Sequence, residues 1–289
     1  MKEIVKAKIA PLLSADEEIQ SVEQLGGMTN QNYLVKTSSN QYIVKFFGKG
    51  TDKLIDRQNE KFNLELLKDL KLDVENYLFD IEAGIKVNQY IENAETLDST
   101  TIKTKFEKIA PILQTIHASG KELKGEFAPF EEIKKYESLI QGEISYPNYE
   151  AVRKAVFSLK DQLEEIGIDK KSCHIDLVPE NFIEGSDGHL YLIDWEYSSM
   201  NDPMWDLAAL FLESEFTSAE EEDFLSHYES DKTSVSREKI RIYKILQDII
   251  WSLWTIYKEE NGADFGDYGI SRYNRAVKEL DCEGDLNEN

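Results

Sequence analysis

The sequence predicts an α+β protein with two lobes, a small β-rich N-terminal lobe and a larger helical C-terminal lobe. Short strand-like segments separated by turns occupy the first third, whereas segments of helical periodicity dominate from residue 93 onward. The two patterns meet near Asn88–Asn93, so we expect an N-terminal lobe over residues 1–88, a hinge over 89–93 and a helical lobe over 94–289. Because ligands often bind between lobes, a cleft is expected at this junction.

Composition and charge narrow the classes of partner. The 289 residues are 41% hydrophobic and 31% charged, which is typical of a folded globular protein. The net charge of −23 argues against nucleic acid and anionic membrane surfaces, which require clustered Lys and Arg. No apolar run approaches the roughly 20 residues needed to cross a bilayer, and the first residues lack the features of a signal peptide. We therefore expect no membrane insertion and a cytoplasmic location. Cys173 and Cys282 fit no metal-site spacing.

The N-terminal elements follow in order. An amphipathic helix within residues 1–13 precedes strands predicted over 18–25, 32–37 and 41–47, the last two joined by the turn 38–40. A helix is predicted over 53–70, and strands near 78–82 and 85–91 follow it. The periodicity of the helix places five apolar residues near one face, namely Leu54, Phe62, Leu66, Leu67 and Leu70.

The C-terminal part is predicted to be helical with one interruption. Six helices are expected, over residues 101–119, 130–141, 148–166, 203–214, 219–228 and 236–259. The interruption is the segment 172–197, in which the turn 185-GSDG-188 joins FIE to HLYLID as a β-hairpin.

The polar residues of this interruption are typical of phosphoryl transfer, which needs a carboxylate near the attacking hydroxyl and oxygen ligands for magnesium. Asp176 precedes Asn181 by five residues, the separation between the base and the metal-binding asparagine in the catalytic loop of protein kinases. Asp194 follows after the hairpin, and its carboxylate and the Asn181 amide are hard oxygen donors. The segment therefore predicts a catalytic Asp176 and a magnesium site.

A site for nucleotide phosphates is indicated upstream. Lys45 is a basic residue inside the apolar strand 41-QYIVKFFG-48, and a buried ammonium needs an anion. Glu60, on the following helix, is its candidate ion-pair partner. The glycines and short polar residues of 25-LGGMTNQNYLV-35, including Thr29 and Asn30, are compatible with a turn that approaches phosphates.

Six motifs together resemble the aminoglycoside phosphotransferase and choline kinase group, which has the protein-kinase-like fold. They are GGMTNQNY, YIVKFFG, DRQNE, HIDLVPENF, IDWEYSSMNDPMWDLA and WSLW. The resemblance is closest to the bacterial LicA-type choline kinases. It implies ATP- and Mg²⁺-dependent phosphorylation of the choline hydroxyl to give phosphocholine and ADP.

The resemblance also implies roles for individual residues. Asp176 would be the catalytic aspartate, with Asn181 and Asp194 holding magnesium and His174 orienting the catalytic loop. Lys45 and Glu60 would form the phosphate-side pair. The strand 85–91 would be the hinge, with the backbone of Gln89, Tyr90 and Ile91 facing adenine. The chain has Asp-Trp-Glu where protein kinases have Asp-Phe-Gly, and it lacks a complete Gly-rich loop, so a switchable activation loop is not expected.

The acceptor site is predicted in the second half of the chain. A quaternary ammonium cannot donate a hydrogen bond, so aromatic faces and a carboxylate must hold it, each face contributing about 0.5–2 kcal/mol. Trp251 and Trp254 are three residues apart and share a helical face. Tyr197 follows Asp194 by three residues, and Glu213 follows Asp206 by seven on the same helix. Tyr268, in the loop 262–269, is expected to close the pocket.

Several alternatives remain open at this stage. Ethanolamine kinase is the nearest, because a primary ammonium also fits an acidic aromatic pocket. An aminoglycoside kinase is next, with acidic residues near Glu220 available for several ammonium groups, and the two tryptophans could instead be core. A kinase-like binding protein without activity is a different class, but it would usually have lost one of Lys45, Asp176, Asn181 and Asp194. The sequence does not indicate an oligomeric state.

Overall fold

The computed structural model describes residues 2–27 and 30–281 and has the predicted α+β architecture. An N-terminal antiparallel sheet is followed by a larger helical part that contains two small sheets. Among the described helices, none combines the length and apolar character needed to cross a membrane.

The N-terminal lobe is built on a five-stranded antiparallel sheet in the order β1-β2-β3-β5-β4. Its elements are α1 (Lys2–Ile9), β1 (Ile19–Gln24), β2 (Gln31–Thr37), β3 (Gln41–Phe46), α2 (Arg57–Leu67), β4 (Asn76–Asp80) and β5 (Ile85–Gln89). The predicted strands and the β2–β3 hairpin are confirmed. Val5 and Ile9 of α1 pack against the alternating buried residues of the strands, including Val35, Val44 and Val87, and form a small core.

The helix α2 is shorter than predicted, and its buried side includes polar residues beside the predicted apolar ones. Its N-cap is Asp56, whose side chain accepts hydrogen bonds from Gln58 N and Asn59 N, so Leu54 lies before the helix. Phe62 is 40% exposed. Leu54 and Leu67 are buried in the helical core, and Leu66 and Leu70 pack against it. The other buried residues of the helix are Arg57, Glu60 and Asn63, which the apolar periodicity did not indicate because they are polar.

The C-terminal lobe contains seven helices among the described residues. They are α3 (Phe106–His117), α4 (Pro129–Leu139), α5 (Tyr149–Ile166), α6 (Pro203–Glu213), α7 (Ser218–Tyr228), α8 (Arg237–Glu260) and α9 (Tyr268–Asp281). The small sheets comprise β6 (Glu95–Thr96), β7 (Lys171–Cys173), β8 (Phe182–Glu184), β9 (Leu190–Leu192) and β10 (Ser199–Asn201). The six predicted helices and the β8–β9 hairpin are confirmed, whereas α9, β6, β7 and β10 were not predicted.

The larger core lies in the helical lobe and extends to the segment before α2. The helix α8 packs against α4, α6 and α9 at its centre. Leu54 and Ile55, which connect β3 to α2, are buried in the same cluster as the helical core. A backbone hydrogen bond from Leu192 N to Leu72 O (2.8 Å) also joins the β8–β9 hairpin to the segment after α2. These contacts fix the sheet relative to the segment that carries the predicted catalytic residues.

Candidate active site

The predicted catalytic loop contains a residue in a strained conformation. Ile175 has a φ of 79°, in the left-handed region that β-branched residues rarely adopt. Its backbone is held from α6, because Ile175 N donates to Asp206 Oδ1 (2.8 Å) and Trp205 Nε1 donates to Ile175 O (3.0 Å). The main chain is thus fixed at the residue before Asp176, which gives the Asp176 carboxylate a defined position.

Asp206 anchors this loop and was not assigned a role from the sequence. It is completely buried, and its Oδ2 accepts a hydrogen bond from His174 N (2.8 Å). His117 Nε2 lies 3.1 Å from the same oxygen, and His117 Nδ1 lies 2.7 Å from Tyr228 OH. The available signal was an acidic residue in the apolar first half of α6, since a buried carboxylate requires several donors.

His174 connects the catalytic loop to the strand that leads to Asp194. It is fully buried, its Nε2 lies 2.9 Å from Ile193 O, and its ring centroid is 4.7 Å from that of Trp195. Burial lowers the pKa of His174, so the ring is neutral and Nε2–H donates to the carbonyl. This geometry supports an orienting function for His174.

Asp176, Asn181 and Asp194 meet at one place. Asn181 Nδ2 donates to Asp176 O (2.8 Å), so the amide group of Asn181 is fixed against the catalytic loop. Ile193 N donates to Asn181 O (2.8 Å), so Asn181 and Asp194 belong to neighbouring backbone segments. Asp194 itself adopts the left-handed backbone conformation, with a φ of 68°. An amide oxygen and a carboxylate are suitable magnesium ligands, so the residues present fit this ion.

The two aspartates have opposite electrostatic environments. Burial, together with the charges of Asp194 and Glu213, raises the pKa of Asp176 to about 8. Burial also disfavours the charged form of Asp194, but Lys45 and Lys86 outweigh it and lower the pKa of Asp194 to about 2. One carboxyl group can therefore take up a proton near neutral pH while the other stays ionised.

The predicted ion pair between Lys45 and Glu60 is not formed. Lys45 Nζ lies 2.5 Å from Asp194 Oδ1, whereas Glu60 accepts hydrogen bonds from Lys86 Nζ and Arg57 Nη1, both at 2.6 Å. The reason is the strand order: Lys86 of β5 lies directly opposite Lys45 of β3. The sequence could not show that a second lysine would be nearer to the helix glutamate.

Arg57 and Glu196 extend this charged cluster to the turn after β1. Arg57 Nη1 lies 2.9 Å from Glu196 Oε2, and Asn30 Nδ2 donates to the same oxygen at 2.7 Å. Asn30 Oδ1 in turn accepts a hydrogen bond from Arg57 Nη2 (3.0 Å). The side chain of Asn30 thus bonds to α2 and to the segment after Asp194, while Thr29, the other predicted phosphate-loop residue, lies outside the described residues.

The predicted hinge begins at the end of β5. Gln89 N donates to Glu75 O (2.8 Å), and Glu75 N donates to Gln89 Oε1 (3.2 Å). These two bonds join the last residue of β5 to the residue before β4. Tyr90 and Ile91 follow the strand. A methyl group added to Gly185 of the β8–β9 turn would come within 3.4 Å of Ile91 Cγ2. The predicted hinge therefore lies against the β8–β9 hairpin.

The predicted acceptor aromatics form one continuous cluster. The ring centroids of Trp251 and Trp254 are 6.4 Å apart with the planes nearly perpendicular, and Tyr197 lies 5.8 Å from Trp251. Phe265, which the sequence analysis did not identify, lies 5.0 Å from Trp254 and 6.5 Å from Tyr268. Within the described residues, the buried Trp254 Nε1 has no hydrogen-bond partner. Most buried donors in proteins are paired with protein or water, so this one is compatible with a water or ligand beside the cluster.

Glu213 does not stand alone beside this cluster. Arg272 Nη1 donates to Glu213 Oε1 (2.7 Å), and the Arg272 guanidinium lies 5.0 Å from the Tyr268 ring centroid. Burial raises the pKa of Glu213. Both Tyr268 and Arg272 come from α9, so the helix that the sequence analysis missed forms one wall of the predicted acceptor site.

Comparison with known proteins identifies relatives along nearly the whole chain. The family model for choline/ethanolamine kinase matches residues 22–277. Protein LicA of Haemophilus influenzae is 32% identical over 269 residues, which cover 89% of this chain and 79% of that protein. The structure of choline kinase LicA from Streptococcus pneumoniae is 77% identical and superposes with a TM-score of 0.94, over 98% of this chain and 99% of that chain. A structure of LicA in complex with AMP is 78% identical, with a TM-score of 0.92 over 97% and 98% of the two chains.

The matches confirm the resemblance suggested by the sequence motifs. They extend over both lobes and include the segments that carry Lys45, Asp176 and Asp194. The chain has the protein-kinase-like fold and belongs to the choline/ethanolamine kinase family.

Proposed function

We propose that this protein phosphorylates the hydroxyl group of choline with ATP and magnesium, giving phosphocholine and ADP. The observation that carries the proposal is the position of Asp176. Its carboxyl group interacts electrostatically with Asp194 on the predicted nucleotide side and with Glu213 beside the aromatic cluster. A base at this junction can serve an acceptor held by the aromatics and a phosphoryl group held near Asp194. Similarity to the LicA structures, one of them with AMP, supports the same function.

The residues of the chain divide the work of the reaction. Asp176 takes the proton of the choline hydroxyl, and the hydroxyl oxygen attacks the γ-phosphorus of ATP. The bond between that phosphorus and the departing ADP oxygen breaks. Asn181 and Asp194 would hold magnesium, which when bound would supply neutralisation of the charge on the phosphate oxygens. Lys45 binds the nucleotide phosphates, and the charged group formed by Glu60 and its neighbours supports that side of the site. Tyr90 and Ile91 receive the adenine together with Gln89. His174 keeps the loop in place.

Choline is favoured over ethanolamine by the chemistry of the pocket. Trp251, Trp254 and Tyr197 offer faces and edges of rings, which attract a quaternary ammonium that has no N–H group. A primary ammonium loses its hydrogen bonds to water on entering such a site, so it needs hydrogen-bond acceptors in the protein to replace them. Glu213 is paired with Arg272 through Oε1, and the positive charge of Arg272 weakens its attraction for a primary ammonium.

The experiment that tests the function is ADP release with magnesium and ATP against choline, ethanolamine and kanamycin in parallel. We expect choline to give the highest kcat/KM, ethanolamine a lower one and kanamycin none. Faster turnover of ethanolamine would contradict the preference for a quaternary ammonium, and turnover of kanamycin alone would contradict the proposed acceptor class.

Trp254→Ala tests whether the tryptophans bind the acceptor. Loss of one ring face should raise the KM for choline about tenfold and leave the KM for ATP unchanged. Trp254→Phe, which keeps an aromatic face, should be closer to wild type, and Tyr77→Ala, at an exposed position of β4, is the control. Equal changes in both KM values would mean that Trp254 acts as core.

Two further points are proposals of the same kind. We propose that the lobes extend over residues 1–88 and 94–289 with a hinge at 89–93, supported by the end of the sheet at Gln89. We also propose a cytoplasmic location, supported by the use of ATP as the phosphoryl donor.

A further inference from the structure

A second buried lysine lies beside Lys45 in the N-terminal sheet. Lys86 of β5 is paired in register with Lys45 of β3, and directly opposite residues project from the same face of a sheet. Lys86 is 2% exposed, its Nζ donates to Glu60 Oε1 at 2.6 Å, and it lies 5.6 Å from the ring centroid of Phe79. Lys86 therefore occupies the place behind the predicted phosphate site, between the sheet and α2.

The two lysines have different partners. Glu60 is 1% exposed and bonds to Lys86 through Oε1 and to Arg57 through Oε2. Burial disfavours its charged form, but Lys86 and Arg57 outweigh that effect and lower the pKa of Glu60. With both of its oxygens engaged, Glu60 does not need Lys45. Lys45 is left to the active-site side, where it contacts Asp194.

The contacts of Glu60 continue to the segment that carries Asp194. Arg57 bonds to Glu196 as well as to Glu60, and Glu196 follows Asp194 by two residues. The series Lys86, Glu60, Arg57, Glu196 thus joins β5, α2 and the backbone next to a predicted magnesium ligand. Buried ion pairs often stabilise a protein no more than apolar residues of similar volume, so stability alone does not account for three of them in series.

We propose that Lys86 is a positioning residue for phosphoryl transfer. Through Glu60 and Arg57 it fixes the backbone that carries Asp194. By occupying Glu60 it also keeps the ammonium of Lys45 on the side of Asp194, where the nucleotide phosphates are expected. The inference rests on the proposed function, because it assigns a task within that reaction.

The test compares wild type with Lys86→Met and with the double variant Lys86→Met/Glu60→Gln. The double variant removes both charges, so no uncompensated charge remains buried even if the single variant folds poorly. Lys36→Met, at an exposed position of strand β2 in the same sheet, is the matched control. Thermal melting establishes folding, and steady-state kinetics and calorimetric binding of ATP with and without magnesium report on the site.

We expect the folded double variant to lose kcat on the order of 100-fold, as for a small displacement of catalytic groups, with little change in the KM for choline. It should also lose most of the gain in ATP affinity that magnesium provides, an effect that a merely structural pair would not produce. Lys36→Met should behave as wild type. A folded double variant with wild-type kcat and magnesium dependence would overturn the inference.

The two proposals can fail separately. If wild type releases no ADP with choline, the proposed function fails, and the effect of magnesium on ATP affinity still tests Lys86. If wild type turns over choline and the double variant does so equally well, only the role of Lys86 is excluded.

Discussion

Asp176→Asn should lower kcat about a thousandfold, within the range that a general base contributes, while the affinity for ATP stays near that of wild type. An amide cannot accept the hydroxyl proton, but it has nearly the same size and preserves the backbone contacts of the loop. The measurement is kcat from ADP release, together with calorimetric binding of ATP. Asp161→Asn, at an exposed position of α5, is the control and should leave both unchanged.

The same substitution should stabilise the protein at neutral and higher pH in the absence of magnesium and nucleotide. The pKa of Asp176 is about 8 in the folded protein, against about 4 in an unfolded chain. Between these values the folded state binds more protons than the unfolded state, so stability falls as pH rises from about 4 to about 8. Asn has no charge to bury and avoids this loss. Turnover like wild type, or a lower melting temperature than wild type at pH 8, would contradict the assignment of Asp176.

Asp206→Asn should affect both folding and activity. Asp206 accepts hydrogen bonds from His174 N and Ile175 N and lies 3.1 Å from His117 Nε2. An asparagine presents one acceptor oxygen and one NH₂ group, so at least one buried donor faces another donor. Breaking such a buried charged network costs about 3–5 kcal/mol in the free energy of unfolding, and release of the Ile175 backbone should lower kcat about 100-fold.

Chemical denaturation and ADP release measure these two effects. Asp223→Asn, an exposed acidic residue of α7, is the matched control and should change the free energy of unfolding by less than about 0.5 kcal/mol. If Asp206→Asn lost stability but kept its kcat at a temperature where it is folded, Asp206 would support the core without positioning the catalytic loop.

The part of the site that depends on local sequence was predictable. Asp176, Asn181 and Asp194 lie within one segment of a loop and a hairpin, so their spacing specifies their relative position. The two tryptophans of α8 were similarly predictable, because residues three apart on a helix share a face.

The part that depends on contacts between distant segments was not predictable. The β3 and β5 strands are neighbours although β4 lies between them in sequence, so the pairing of Glu60 with Lys86 had no local signal. The burial of Arg57 and Glu60 on α2 was not predicted, because hydrophobic periodicity does not identify charged residues that are buried through distant partners. The α9 helix was missed because the Gly- and Asp-rich segment 262–267 suggested an end to the helical pattern. In addition, the buried face of α9 includes Arg272, which interrupts the apolar pattern expected of a buried helix.

The polar interior face of α2 constrains how this lobe can diverge over evolutionary time. Loss of one member of a buried ion pair leaves the other charge unpaired, at about 3–5 kcal/mol, a large fraction of the roughly 5–15 kcal/mol that keeps a domain folded. We therefore expect single changes at Arg57, Glu60, Lys86 or Glu196 to be selected against even where the chemistry would tolerate them, and compensating double changes to be the accessible route. Changes at exposed positions of α2, such as Phe62 at 40% exposure, carry no such cost.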